Sequence, residues 1–250
     1  MRIVHISDLH FGMEDQVIVD SFIADLALIQ AHLIIISGDV TQRALEEQYV
    51  QFQHFLKRLN VPYVVVPGNH DIPLYNPWKR FTHPFKNYKK YVSNQLGSTF
   101  KNDEVTILGV NSATPYKLKD GVLSQRTIGR IKNYFKQDSG AFNIVFFHHN
   151  LNYFSGMHHP LNNAEEFIAY LKDSPIHMVC TGHLHYATLK LVAKNEGHCA
   201  ILHGGSLCCE RTNDGKNSFY LIDVDGLNYT VDWRVFRENG FESTPMPVIN

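Results

Sequence analysis

A chain of 250 residues, 44% of them hydrophobic, is long enough for one sizeable α/β domain or two small ones and can bury a large core. Its 23 Lys and Arg against 24 Asp and Glu give a formal charge of −1, which removes any bulk electrostatic case for a nucleic-acid or anionic-membrane partner and leaves only local basic patches open. No apolar run reaches the roughly 18 residues of a membrane span, and "MRIVHISDLH" lacks a signal peptide's apolar stretch. Cys180, Cys199, Cys208 and Cys209 show no CxxC spacing and read as reduced thiols, so a cytoplasmic protein without a membrane partner is expected.

In chain order, short β-branched or aliphatic runs predict buried strands at residues 2–7, 33–37, 63–66, 105–111, 143–147 and 177–181. Between them Leu45, Tyr49, Phe52, Leu56 and Leu59 step by three or four, as do Ile128, Ile131 and Phe135, and each set forms one helical stripe. Asn163 followed by Glu166 resembles a capping box ahead of a helix carrying Phe167 and Leu171. This alternation favours βαβ units and parallel pairing. From Cys199 onward strands follow one another ("CAILH", "SFYLIDV", "YTVDWRVF"), which predicts an antiparallel continuation, and the tail "ESTPMPVIN" is expected to be irregular. The Pro-, aromatic- and Lys-rich stretch 72–102 is the candidate for a cap-like insertion in a single 1–250 domain.

Histidine is unusually abundant at 15 residues, and several stand at predicted strand ends, where an α/β protein builds its site. Asp8-Leu9-His10 places a carboxylate and an imidazole two apart, a spacing that in an extended segment turns both to one cation. "SGDVT" offers Asp39 after a permissive Gly38, and two carboxylate oxygens can bridge two cations. "PGNHD" supplies Asn69, His70 and Asp71. "VFFHHN" leaves His148 at the end of an apolar strand, and "TGHLH" repeats the two-residue step with His183 and His185. Each cluster alone arises by chance; all five, in order at strand ends, do not.

This order, D-x-H, G-D, G-N-H-D, H, G-H-x-H, resembles the calcineurin-like metallophosphoesterases. The resemblance implies an α/β, four-layer αββα sandwich of two mixed sheets flanked by helices. It also implies that Asp8, His10, Asp39 and His185 hold one metal and that Asp39, Asn69, His148 and His183 hold the other. His70 is implied as the catalytic residue that orients the phosphate or protonates the leaving oxygen, with Asp71 orienting its ring. A ligand set of imidazole and oxygen suits two divalent ions of Mn, Fe or Zn. His149 is the alternative to its neighbour His148. His5, His32, His54, His177 and His198 read as structural, His158 and His159 as a loop that lines the site mouth or merely the surface, and His203 stays open.

"GDVTQRA", "PGNHDIPLYN", Arg211 and "KNSFYLI" are similar to the bacterial, cyclic-nucleotide-phosphodiesterase-like branch, with Arg211 as the candidate substrate-binding residue. "GDVTQRA" and the Asp after "GNH" depart from the protein serine/threonine phosphatases, and His70 departs from the lipid-A-pathway pyrophosphatases, which carry Arg there. The expectation is a dinuclear metal-dependent phosphoesterase that hydrolyses a small-molecule phosphodiester by attack of a metal-bridging hydroxide. Alternatives are a phosphomonoesterase, a DNA nuclease of the repair-exonuclease type, disfavoured by the near-neutral charge and the chain's end soon after the core, and a non-catalytic protein-binding scaffold.

Overall fold

Leu33, Ile34, Ile35 and Ile36 are all fully buried, which a strand achieves only when both of its faces are covered. The computed structural model describes residues 1–136, 140–238 and 240–249. In chain order the elements are β1 (Arg2–Ile6), α1 (Gln16–Ile29), β2 (Leu33–Ile36), α2 (Glu46–Arg58), β3 (Tyr63–Val65), α3 (Pro77–Thr82), α4 (Lys86–Tyr91), β4 (Thr99–Lys101), β5 (Val105–Gly109), α5 (Gln125–Tyr134), β6 (Phe142–Phe146), α6 (Ala164–Lys172), β7 (Met178–Thr181), β8 (Thr188–Ala193), β9 (His198–His203), β10 (Ser218–Asp225), β11 (Asn228–Arg237), β12 (Gly240–Thr244) and β13 (Val248–Ile249).

Two mixed sheets result, ordered β12-β11-β10-β1-β2-β3 and β13-β8-β9-β7-β6-β5-β4. β1, β2 and β3 are parallel, as are β5, β6, β7 and β9. Strand alternation then sorts the side chains. Ile3, Leu33, Ile35, Ile107, Ile144, Phe146, Cys180 and Leu202 fill the core between the sheets. Val4, Ile6, Ile34 and Ile36 face α1 and α2 with Phe22, Tyr49, Phe52 and Phe55, while Val145 and Val179 face α5 and α6 with Ile128, Ile131 and Phe167. The result is the expected four-layer αββα sandwich. Among the described residues no helix is long and apolar enough to cross a membrane.

Several local expectations differ from the structure. β9 pairs parallel with β7 in the second sheet, and the antiparallel continuation of β10, β11 and β12 joins the first sheet. The tail is not irregular throughout: β12 pairs with β11 and β13 with β8, short edge strands whose polar residues conceal their pairing, while Asn250 lies outside the described residues. Asn163 does stand at the N-cap of α6, but its amide bonds the backbone N and O of Leu123 at 3.2 and 2.8 Å, so the capping box does not form. In the stretch 72–102, Phe85 and Tyr88 are buried against α2, and β4 extends the second sheet.

Two histidines are sealed in this interior. His5 Nε2 meets Ser37 Oγ at 2.8 Å, and His203 spans Thr181 Oγ1 (2.6 Å) and Asn152 Oδ1 (3.0 Å). Burial holds both imidazoles down at about 3. Each is therefore neutral when folded between pH 3 and 6.5 but takes up a proton when unfolded, so its stabilisation is complete above pH 6.5 and is lost as the pH falls toward 3. Denaturant unfolding at pH 7.5, 6 and 5 is expected to show wild-type stability dropping more steeply than that of His203→Gln, with the difference in slope approaching about 1.4 kcal/mol per pH unit only below pH 6. Parallel pH profiles would contradict this.

Candidate metal centre

The turns that follow β1, β2 and β7 take an unusual backbone. Asp8 (φ 51°), His10 (48°), Asp39 (50°), His183 (76°) and His185 (50°) all lie in the left-handed region, which non-glycine residues seldom occupy. The two-residue step of Asp8 and His10, and of His183 and His185, is thus not an extended strand as expected. It is a left-handed turn that sends Leu9 and Leu184 into the interior and aims the polar side chains at one point. Strain of this kind persists only where surrounding contacts over-determine it, and it concentrates at functional sites.

Three glycines supply that surrounding. A Cβ on Gly182 would stand 1.8 Å from Ser7 Oγ and 2.4 Å from Asp8 Oδ2, and one on Gly68 would stand 2.1 Å from Asp39 Oδ1. The bare backbone lets His183 N donate to Asp8 at 3.0 Å and His70 N donate to Asp39 Oδ1 at 2.8 Å. Gly38, at φ 94°, leaves room for the His148 ring. Each buried carboxylate is thus fixed by an N–H from a strand end distant in sequence.

The remaining lone pairs face one another. Backbone carbonyls of Ser37 and Arg211 accept from Nδ1 of His148 and His185, so both rings present a bare Nε2. His185 Nε2 lies 3.4 Å from Asp8 Oδ1 and 3.2 Å from His10 Nε2. His148 Nε2 lies 3.2 Å from Asp39 Oδ2, 3.1 Å from Asn69 Oδ1 and 3.2 Å from His183 Nδ1. Asn69 is fixed with its oxygen inward because its Nδ2 donates to Leu118 O. Acceptor against acceptor in a buried site is unfavourable unless a cation or a proton lies between them. Burial pulls the His148 imidazole down, but Asp39's charge and hydrogen bond outweigh it and raise the group to about 9, a proton standing where a cation fits. The donors form two groups, Asp8, His10, Asp39 and His185, and Asp39, His148 and His183, which share Asp39. The site residues therefore fit two divalent ions.

At the mouth, His70 Nδ1 donates to Gln42 O (2.9 Å), which leaves Nε2 open and 3.3 Å from Arg211 Nη1. Asp71 does not orient this ring. Its carboxylate accepts from Val40 N, Thr41 N, Thr41 Oγ1 and Gly68 N at 2.8–3.2 Å, fastening the Asp39 turn to the Asn69 turn. Burial, then the Asp39 charge, push the Asp71 carboxyl up to about 7. The geometry assigns the orienting task to the Gln42 carbonyl, which no side-chain pattern reveals. His149 bonds Ser112 Oγ through Nδ1 (2.8 Å) and packs on Gly121, outside both donor groups although its ring lies 4.7 Å from that of His183, and the His158 ring lies 4.8 Å from His183 on a tilted plane. Two further residues lie here unforeseen. Arg43 shares Gln42 O at 3.0 Å, and Cys209, pushed up to about 11 by burial, lies near His10 and His185. Arg43 has a sequence signal, four residues beyond Asp39 in "GDVTQR"; Cys209 has none.

A family model described as calcineurin-like phosphoesterase matches residues 1–187, a span that contains every residue of both groups. The chain belongs to this family. As a calcineurin-like phosphoesterase it is a hydrolase, in a family that typically depends on two metals. The DNA double-strand break repair protein Mre11 of Methanococcus maripaludis is 26% identical over 292 aligned residues, covering 98% of this chain and 72% of the relative. A probable glycerophosphodiester phosphodiesterase GpdQ of Arcobacter nitrofigilis is 28% identical over 118 residues, which is 47% of this chain and 41% of that protein. The purple acid phosphatase PPD1 of yellow lupin superposes with a TM-score of 0.74 at 13% identity, over 97% of this chain and 52% of the phosphatase, a likeness of fold.

Two substitutions test how this calcineurin-like phosphoesterase holds its carboxylates. Gly182→Ala is expected to lose about 1–3 kcal/mol of stability through overpacking and to weaken Mn²⁺ binding in calorimetric titration. Gly129→Ala, inside α5 with nothing within 4 Å of its Cβ, is the comparison and is expected to gain stability by about 0.5–1 kcal/mol. Asp71→Asn turns an amide donor onto backbone donors and is expected to cost about 1–3 kcal/mol in urea unfolding of metal-free protein. Wild-type stability in Asp71→Asn would show that the carboxylate is not the fastener between the two turns.

Proposed function

We propose that the protein is a dinuclear metal-dependent phosphodiesterase. Its two divalent ions, of Mn, Fe or Zn, are held by Asp8, His10, Asp39 and His185 and by Asp39, Asn69, His148 and His183. The observation that carries this reading is the pair of buried acceptor clusters that share Asp39 and open beside His70. Divalent ions so bound supply Lewis-acid polarisation of a phosphoryl group and a water-derived nucleophile at neutral pH. The protein's own contribution lies around them. Asp39 and Asp8 leave the loaded centre net positive, in complement to an anionic phosphate. Arg211 takes a phosphoryl oxygen, and His70, with Nδ1 engaged by Gln42, handles the leaving oxygen's proton at Nε2.

A small cleft lined by Gln42, Arg43, Asn69, His70, Ile72, Leu74, Arg80 and Leu118 lies beside the centre, and likeness to a probable glycerophosphodiester phosphodiesterase supports the diester over the monoester reading. Within a single domain, residues 72–102 are then the cap-like insertion that forms part of this wall. Four buried free cysteines support a reducing, cytoplasmic setting. Likeness to Mre11 across 98% of the chain supports a second reading, in which the diester belongs to DNA.

The test is hydrolysis of bis-p-nitrophenyl phosphate against p-nitrophenyl phosphate after reconstitution with Mn, Fe or Zn. Faster cleavage of the diester is expected, with loss of turnover on chelation and in Asp39→Asn. His70→Ala is expected to lower kcat by about 10²–10⁴ with metal content unchanged. Two bound metals without turnover on either ester would reject the reading.

A further inference from the structure

The near-zero charge of the chain conceals a strong local asymmetry. Residues 72–102 carry Lys79, Arg80, Lys86, Lys89, Lys90 and Lys101 and no acidic residue, leaving 17 cations against 24 acids elsewhere. The same segment holds Tyr75, Trp78 and Phe81, which are 78%, 77% and 55% exposed. Trp78 and Phe81, three apart, share one side of α3, and Tyr75 lies in the turn just before it. Tyr116, 80% exposed, continues the row, with its ring 6.2 Å from that of Phe81. Other apolar side chains are exposed singly, such as Leu28 and Tyr153, but here four large aromatic rings gather on one short helix and the segments beside it, and a cluster of exposed apolar surface marks an interaction site.

The row is held rigidly. Arg80, on the inner side of α3, is buried and donates to the carbonyls of Pro73 (3.2 Å), Pro115 (2.7 Å) and Lys117 (2.6 Å), joining α3 to the loop that bears Tyr116. It also connects with the metal centre. The Arg43 guanidinium lies 5.6 Å over the Tyr75 ring and 3.3 Å from His70 Nδ1. On the far side, His83, Lys86 and Lys89 line a surface cleft with Phe85. Arg43 thus links the centre to Tyr75, and the exposed rings of this segment are followed in the chain by the cations of that cleft.

We propose that this ridge is a binding track for single-stranded polynucleotide, with bases stacked on Tyr75, Trp78, Phe81 and Tyr116 and phosphates met by Lys79, Lys86 and Lys89. The proposal names the substrate class of the phosphodiesterase reading and rests on it for the chemistry. Rings interleaved with cations form the stacking platform and electrostatic path that unpaired strands use, whereas a duplex keeps its base faces covered. An anionic bilayer is the poorer match: α3 spans six residues, too short for an interfacial amphipathic helix, and the ridge runs into a catalytic cleft.

The protein reports binding directly, because its only other tryptophan, Trp233, is 3% exposed. Fluorescein-labelled dT15 and rU15 are titrated by anisotropy in chelator, with tryptophan emission followed using unlabelled strands. Quenching of Trp78 on binding of either strand is expected. Trp78→Ala is expected to weaken Kd about tenfold or more, and Trp78→Phe to retain affinity while losing the quench. Lys86→Glu with Lys89→Glu is expected to reduce the slope of log Kd against log salt by about 1.4. Equal affinity for a 15-base-pair duplex without quenching, unchanged affinity in Trp78→Ala, a preference for phosphatidylserine vesicles, or burial of Trp78 by self-association in sedimentation would each overturn the track. Hydrolysis of bis-p-nitrophenyl phosphate is measured on the same protein. Intact hydrolysis without strand binding removes the track alone, and Trp78-dependent binding without hydrolysis removes the phosphodiesterase reading alone.

Discussion

Asp39 is a fully buried carboxylate whose charge the fold must neutralise without water, and the site is arranged around that need. One oxygen is satisfied by the His70 N–H; the other faces His148 and His10 at 3.2 and 3.7 Å. Reaching this state requires a left-handed backbone at Asp39, a glycine on each side of the contact, and Asp71 beneath to tie the two turns together. The sandwich provides these because β1, β2, β6 and β7 all end on the same rim. Without a cation the Asp39 charge is balanced by a proton on His148, and a cation can take the place of that proton.

Much of this was legible in the sequence, but in unequal degree. Core strands were plain because parallel strands covered on both faces read as unbroken apolar runs, as in "LIIIS". The edge strands β4, β12 and β13, and β8 beside the edge, were not, since half-exposed, polar or very short segments carry no such signal. Helix α1 escaped a periodicity reading because the exposed Val17 and Leu28 interrupt the contrast between its faces.

At the site, ligand identity was readable from residue type and order, while geometry was not. The D-x-H step converges through left-handed turns, a conformation that residue spacing does not encode. Asp71 beside His70 in sequence invited the inference that it steadies the ring, yet neighbouring side chains in a turn point apart, and Asp71 instead serves backbone amides. Arg80 reads as one more surface cation in a basic stretch. Only in three dimensions does it prove to be the buried strut of α3.

The placement of His10 and His185, 175 residues apart and in contact through their Nε2 atoms, has a consequence for the chain as a polymer. A cation held between the end of β1 and the turn after β7 acts as a reversible cross-link across one of the longest loops the chain can close. Because its ligands meet only in the folded chain, a cation bound there would be absent from the unfolded ensemble and would stabilise the native state by mass action. The centre is then also a clasp. It fastens the first sheet to the second at their common rim, and it forms only after both have assembled in register.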